Sequence, residues 1–311
     1  MFENEPSPWS AKALIKLDSF LNACTASLER KVWCRRYHYI DAFSGAGTNT
    51  EVERKIRPNE SDCLIAIAEY GQNQPEHVEF TRCSPITSVE IINPFTSYTF
   101  IEPSLRRNQI LATIAKQFQG LKIRVVRESC SVYLRRLALR TEWKSQRALL
   151  FLDPFRMQIN WETLVLLAQT KAIEIMFNFP VGVALHRKLP HDSANITSAR
   201  RSCLDRFFGS AEWFEILYSA RTAGEQNQVI ERFKTGTLPA QQKSSFRTAD
   251  PGRSLVSWYR QRLATIFGAI SKPSLIRNNN EEQLYYLIFA AHKASSVNLA
   301  QDLLDLGVTE A

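Results

Sequence analysis

Five short stretches of this sequence place acids, amides, glycines and aromatic rings directly after apolar runs. The first is Asp41-Ala42-Phe43-Ser44-Gly45-Ala46-Gly47. Gly45 and Gly47 let backbone approach a bound group closely, and Asp41 beside Phe43 is an anion placed to receive a positively charged amine. In Phe100-Ile101-Glu102-Pro103, Glu102 offers the two-oxygen acceptor that a ribose diol requires. Glu128-Ser129-Cys130 offers an acid to the amino group of an adenine. In Phe151-Leu152-Asp153-Pro154-Phe155, a carboxylate, a main-chain carbonyl and a ring could together hold an amine acceptor. Asn178-Phe179-Pro180 stands in the same relation to the next run and could line the same pocket. Each stretch also has a plain structural use: a tight turn at Gly45, or Glu102 meeting the dipole of a following helix. Asp153-Pro154 could simply end a strand.

The elements needed to position these residues can be read from periodicity. Residues 10–28 carry an amphipathic helical stripe through Leu14, Leu17, Leu21, Cys24 and Leu28. Strands are expected at 37–41, 98–102, 122–127, 148–153 and 172–179, with helices at 104–119, 131–141 and 161–170 between them. Ser61 to Tyr70 has the apolar density of a helix. Two β-like runs, 78–81 and 86–92, interrupt the alternation and suggest a hairpin excursion from the core. Strands alternating with helices imply βαβ units and a mostly parallel sheet covered on both faces. Residues 184–265 are helical in character, with aromatic pairs such as Phe207/Phe208 and Trp258/Tyr259. The runs 273–277 and 284–291 then read as an antiparallel hairpin, and 298–306 as a closing helix. Such a hairpin on an otherwise parallel sheet distinguishes the class I methyltransferase core from the all-parallel dehydrogenase core.

The expected organisation is therefore α/β: an N-terminal helical segment (1–36) and a Rossmann-like cofactor-binding core (37–183) with an excursion at 50–95. A helical insertion (184–265) and a C-terminal hairpin and helix completing the core (266–311) follow. In such sheets ligands bind beyond the carboxyl ends of the strands, where strand order reverses. A dinucleotide site would want a further glycine at position 50, where Thr50 stands, so a nicotinamide enzyme is disfavoured. S-adenosylmethionine is the cofactor these strand ends suit, with Asp41, Phe43, Gly45, Gly47, Glu102 and Glu128 as its binding residues.

Bulk properties fit a folded chain with a polyanionic partner. Of 311 residues, 44% are hydrophobic and 23% charged, which is ordinary for a globular protein. The net charge of +8 comes in clusters, among them Arg106/Arg107, Arg135/Arg136/Arg140, Arg200/Arg201/Arg206 and Arg253/Arg260/Arg262. These are either solvated helix faces or a surface that tracks the phosphates of DNA or RNA. Cysteines 24, 34, 63, 83, 130 and 203 are too scattered for a metal site or a disulfide framework, so no metal is expected. No serine, histidine and aspartate combine into a nucleophilic motif. No apolar stretch nears the ~18 residues of a membrane span, and residues 1–30 lack a signal-peptide pattern. A cytoplasmic location is expected, with no membrane partner.

Residues 151–155 resemble the Asp-Pro-Pro-Tyr type of motif of amino-group methyltransferases, with one proline missing and Arg156 following Phe155. In that motif the carboxylate and a main-chain carbonyl accept hydrogen bonds from an exocyclic amine while the ring stacks on the base. The resemblance makes Asp153, Pro154 and Phe155 the expected catalytic residues, with Asn178 and Arg156 as substrate contacts.

Matches spanning nearly the whole chain also resemble the three-Cys-motif partner family. They are Trp-Ser-x-Lys at 9–12, Tyr-Ile-Asp-x-Phe-x-Gly-x-Gly at 39–47 and Phe-Leu-Asp-Pro-Phe at 151–155. A tryptophan followed by Thr-Leu at 161–164, Asn-Phe-Pro at 178–180 and Tyr-Tyr-Leu-Ile-Phe-Ala at 285–290 complete them. The departures are Arg156, where a glycine is usual, and the elaborated 50–95 region. The resemblance implies a class I S-adenosylmethionine-dependent methyltransferase-like fold in a bacterial or phage protein, and a co-encoded three-Cys-motif protein as partner. The family's cysteine motif belongs to that partner. Two functions are expected in turn: methyl transfer to nucleic acid, a base amino group being one candidate acceptor, or a non-catalytic regulatory partner that keeps the fold. A duplex target would need its base flipped into the pocket.

Overall fold

Short β-branched and aromatic runs form the core of the chain. The computed structural model describes residues 9–29, 31–44, 84–153, 158–180, 193–218, 251–277 and 283–305. Five parallel strands, β1 (Arg36–Asp41), β2 (Ser97–Ile101), β3 (Ile123–Val126), β4 (Gln146–Leu152) and β5 (Ile173–Pro180), lie in the order β3-β2-β1-β4-β5. The order reverses between β1 and β4, which pair in parallel from Arg36↔Gln146 to Asp41↔Phe151. The apolar run Ala148 to Leu152 is fully buried, as a central strand covered on both faces requires.

The sheet ends as an antiparallel structure. Strand β8 (Gln283–Ala291) pairs antiparallel with β5. Its other edge carries β6 (Ala269–Ile270) and β7 (Ser274–Arg277), two pieces separated by residues 271–273. Pro273 accounts for part of the break, since it has no N–H to give the ladder. The two-residue β6 is too short for any alternation to reveal in the sequence. The hairpin connection at 278–280 lies outside the described residues.

Helices cover both faces. Strand alternation sorts the sheet's side chains into two clusters. Tyr39, Phe151, Met176, Leu287 and Phe289 pack with Leu17, Phe20 and Leu21 of α1 (Trp9–Glu29), with Leu111 of the helix Leu105–Gln117, and with the C-terminal helix Ala294–Asp305. Ile40, Leu150, Leu152, Phe177 and Ile288 face the other way. In chain order the remaining helices are α2 (Ser84–Val89), α3 (the Leu105–Gln117 helix), α4 (Cys130–Arg140), α5 (Trp161–Gln169), α6 (Ser198–Phe208), α7 (Glu212–Tyr218), α8 (Pro251–Ile266) and α9 (the Ala294–Asp305 helix).

Where a strand is expected at 86–92, the chain forms the helix α2. Pro85 sits in its first turn, where its missing N–H costs nothing, and Ile86 and Val89 bury their side chains at helical spacing. The run 78–81 and the helix expected at 61–70 lie outside the described residues.

The described helices of the 184–265 stretch share the sheet's core. Phe207, Phe208, Trp213 and Tyr259 are fully buried against Phe177 and Phe179. Burying each such ring contributes roughly 1.5–3 kcal/mol. Arg262 is held over Trp161 at 4.7 Å and Trp258 at 5.2 Å. It donates to the carbonyls of Phe208 (3.2 Å) and Gly209 (3.1 Å), closing the C-terminus of α6. Arg260 likewise donates to the carbonyls of Ser271 and Ile270. Two arginines of one basic cluster therefore serve the fold.

Gly209 has φ 67°, and a Cβ placed there would overlap the Trp161 ring. A left-handed residue packed this closely against the partly buried Trp161 ring calls for glycine. Gly209→Ala is expected to lower unfolding free energy by about 3 kcal/mol, read from the midpoint of denaturant unfolding. An unchanged midpoint would show that the α6–α5 packing is loose.

Candidate active site

The carboxyl ends of β1, β4 and β5 meet the start of β8, and each contributes a polar side chain. Asp41 is the last residue of β1 and is fully buried. Its Oδ1 accepts the Phe43 N–H at 3.1 Å, a local turn that starts the glycine loop. Its Oδ2 accepts the Ser84 hydroxyl at 2.6 Å, delivered by α2. Ser44 ties the loop to β2: its hydroxyl donates to the Asp41 carbonyl at 3.0 Å and accepts the Ile101 N–H at 3.1 Å. Phe43 packs against the core. Gly45 and Gly47 lie outside the described residues.

Asp153 follows β4 directly. The ladder pairs Leu152 with Phe177, so Asp153 and Asn178 are the next step along. The Asn178 amide donates a hydrogen bond to the Asp153 carboxylate and interacts with the Tyr285 hydroxyl at the start of β8. Asn178 is only 4% exposed, and its Oδ1 has no hydrogen-bond partner among the described residues. Pro154, Phe155 and Arg156 lie outside the described residues.

Burial sets the electrostatics of this cluster. It raises Asp41 from 3.8 to about 7, against the hydrogen bonds from Ser84, Phe43 and Ser44, and the charge of Asp153 adds to the rise. It raises Asp153 from 3.8 to about 6, opposed by the Asn178 hydrogen bond. Tyr285 is pushed up by burial and by the Asp153 charge. Among the described residues no cation offsets either carboxylate. Two interacting, desolvated carboxylates without a counter-ion among the described residues are costly and suit a cationic ligand.

The other two candidate acids are engaged. Glu102, 4% exposed, follows β2, which pairs with β1 so that Phe100 faces Asp41. Its Oε1 accepts the Ser104 N–H at 2.8 Å and its Oε2 lies 3.3 Å from Arg107 Nε. In the first turn of α3, Arg106 has buried Nε and Nη2 atoms without partners among the described residues. Glu128, beyond β3, holds Arg136 through both oxygens at 2.8 and 2.7 Å. Glu102 is thus brought to the strand end beside Asp41, whereas Glu128 faces an exposed arginine of α4.

Ser84, Ser44, Tyr285 and Arg106 belong to this edge without having been expected there. Ser84 lies outside every motif and Tyr285 opens the 285–290 run without a site role read from it; the packing of α2 and of β8 delivers them. Among the described residues no three His, Cys, Asp or Glu side chains gather as metal ligands, and no helix is long and apolar enough to cross a membrane.

Parallel β3-β2-β1-β4-β5 order, helices on both faces and a terminal antiparallel hairpin define the fold as that of the class I methyltransferases. No family model matches the chain, and no curated protein matches its sequence. Among solved structures, protein LPL1258 of Legionella pneumophila, of family DUF519, is similar at TM-score 0.46 and 13% identity, over 94% of this chain and 91% of that one. The putative methyltransferase YhhF of Escherichia coli is similar at TM-score 0.27 and 16% identity, over 58% of this chain and 74% of that one. The plantazolicin methyltransferase BpumL, in complex with SAH, is similar at TM-score 0.28 and 10% identity, over 89% and 84%.

Proposed function

We propose that this chain is an S-adenosylmethionine-dependent methyltransferase acting on an amino group of nucleic acid. One observation carries the reading: the buried Asp41 and the half-buried Asp153, with no cation among the described residues offsetting either, at the point where strand order reverses. A ligand with a cationic amine and sulfonium supplies the missing charge. When bound, S-adenosylmethionine provides an electrophilic methyl group. Asp41 receives the methionine amine, with Phe43, Gly45 and Gly47 shaping the loop around it. Glu102 takes the ribose hydroxyls, and Glu128, released from Arg136, the adenine amine.

Asp153 and Asn178 hold the acceptor. The unpartnered Oδ1 of Asn178 lacks a hydrogen-bond donor, and an exocyclic amine supplies one. Ionised Asp153 would accept the amine's other N–H and take up the proton that the nitrogen gives up. Pro154 contributes a carbonyl, Phe155 a stacking face, and Arg156 a contact to the substrate. Most of the rate gain then comes from positioning the amine. The resemblance to the three-Cys-motif partner family supports a cytoplasmic bacterial or phage protein that works with a co-encoded partner.

A methyl-acceptor screen on DNA, RNA and protein pools, with and without the neighbouring three-Cys-motif protein, tests this reading. Label entering nucleic acid is expected; no label in any pool favours a non-catalytic partner. Glu102→Gln is expected to weaken S-adenosylmethionine binding about tenfold or more in calorimetry with little change in melting temperature, because it weakens one charged hydrogen-bond acceptor. An unchanged affinity would place the ribose elsewhere.

A further inference from the structure

The opposite edge of the sheet holds a second site. A cavity of about 260 Å³ opens where β1, β4 and β5 begin and β8 ends. That is slightly smaller than the roughly 300–1,000 Å³ of typical small-molecule pockets. Lys31, Arg147, Lys171 and Lys293 surround it. Among the described residues none of the four lies within ion-pairing distance of a carboxylate. Glu174 is the single acid in the lining; the Ser296 hydroxyl at the start of α9 holds it, and its charge is felt by Lys31, Arg147 and Lys293 without a close ion pair among them.

Two of the cations are arranged in advance. Trp33 carries the Arg147 guanidinium over its ring at 4.3 Å and the Lys293 ammonium at 5.7 Å. Arg147 is further fixed by the carbonyls of Trp143 and Gln146. Lys171 sits at φ 53°, a conformation that costs a lysine energy and is usually left to glycine or asparagine. His292, also in the lining, has a buried Nε2 without a partner among the described residues. The rest of the wall is apolar, through Leu28, Phe289 and Leu299.

We propose that this cavity binds a phosphate monoester of a small, partly apolar molecule. Three lysines and one arginine lining a single cavity from different elements suit the three oxygens of a phosphate better than a planar carboxylate. The first turn of α9 adds its dipole. The volume and the apolar wall leave room for an organic body beyond the phosphate. The site lies at the amino edge of the strands, away from the Asp41–Asp153 cluster, so it stands independently of the methyltransferase reading.

Phenyl phosphate is the probe, titrated calorimetrically with inorganic phosphate as comparison. Binding of one equivalent is expected, tighter than for inorganic phosphate. Lys171→Ala and Lys293→Ala, both exposed positions, are each expected to weaken it about tenfold. Glu174→Gln, nearly isosteric, is expected to tighten it severalfold by removing the one opposing charge. Circular dichroism confirms that each variant is folded. Absence of binding to the wild type, or an affinity untouched by all three substitutions, overturns the proposal.

Discussion

Asp41→Asn is expected to stabilise the unliganded protein above pH 7 while abolishing cofactor binding. Its carboxyl titrates at about 7 in the folded chain against an ordinary 3.8. The folded state therefore keeps a proton that the unfolded state has lost, and stability from this group falls as pH rises from about 4 to about 7. The full loss is ~4 kcal/mol. Asparagine keeps an acceptor for the Phe43 N–H and a polar partner for Ser84, but it cannot ionise. Relative to wild type, the variant should gain about 3 kcal/mol between pH 5 and pH 8 in denaturant unfolding. Replacing a buried hydrogen-bonded residue usually destabilises, so the sign is diagnostic. Binding of S-adenosylmethionine should weaken at least about a hundredfold, since a buried ammonium loses its carboxylate. A variant less stable than wild type at pH 8 would mean that Asp41 is structural.

Asp153→Asn separates chemistry from binding. Methyl transfer is expected to fall by about a thousandfold, the scale of a lost general base, while cofactor affinity changes only a few-fold. In the wild type the rate should rise with pH through about 6, as Asp153 ionises and becomes able to accept the amine proton. The variant should lose that limb of the pH profile. Residual turnover that keeps the limb would assign the proton to another group, with Asp41 first in line.

The strands, and the strand-end positions of most candidate acids, were legible because each depends on local pattern. Ala148 to Leu152 is apolar without interruption, and Asp153 ends it; Asp41, Glu102 and Asn178 end their runs in the same way. What lay beyond reach depends on distant packing. Ser84 reaches Asp41 only because Pro85 turns an apparent strand into the helix α2, and Tyr285 reaches Asn178 only through the terminal hairpin. The arginines show the same limit. Arg260 and Arg262 look like surface charge, yet they bind main-chain carbonyls, while Arg136 is spent on Glu128. Charge counted along a chain overstates what remains free to meet phosphate.

Whether the buried Asp41 meets a cationic cofactor is settled by calorimetric titration of S-adenosylmethionine near pH 6.5 in buffers of different ionisation enthalpy. Saturable binding with release of protons to the buffer is expected, because a bound cation restores Asp41 to its charged form. Both the binding and the proton release are expected to vanish in Asp41→Asn. Absence of binding in the wild type, or equal affinity and no proton release in the two proteins, would rule out a cationic cofactor at Asp41.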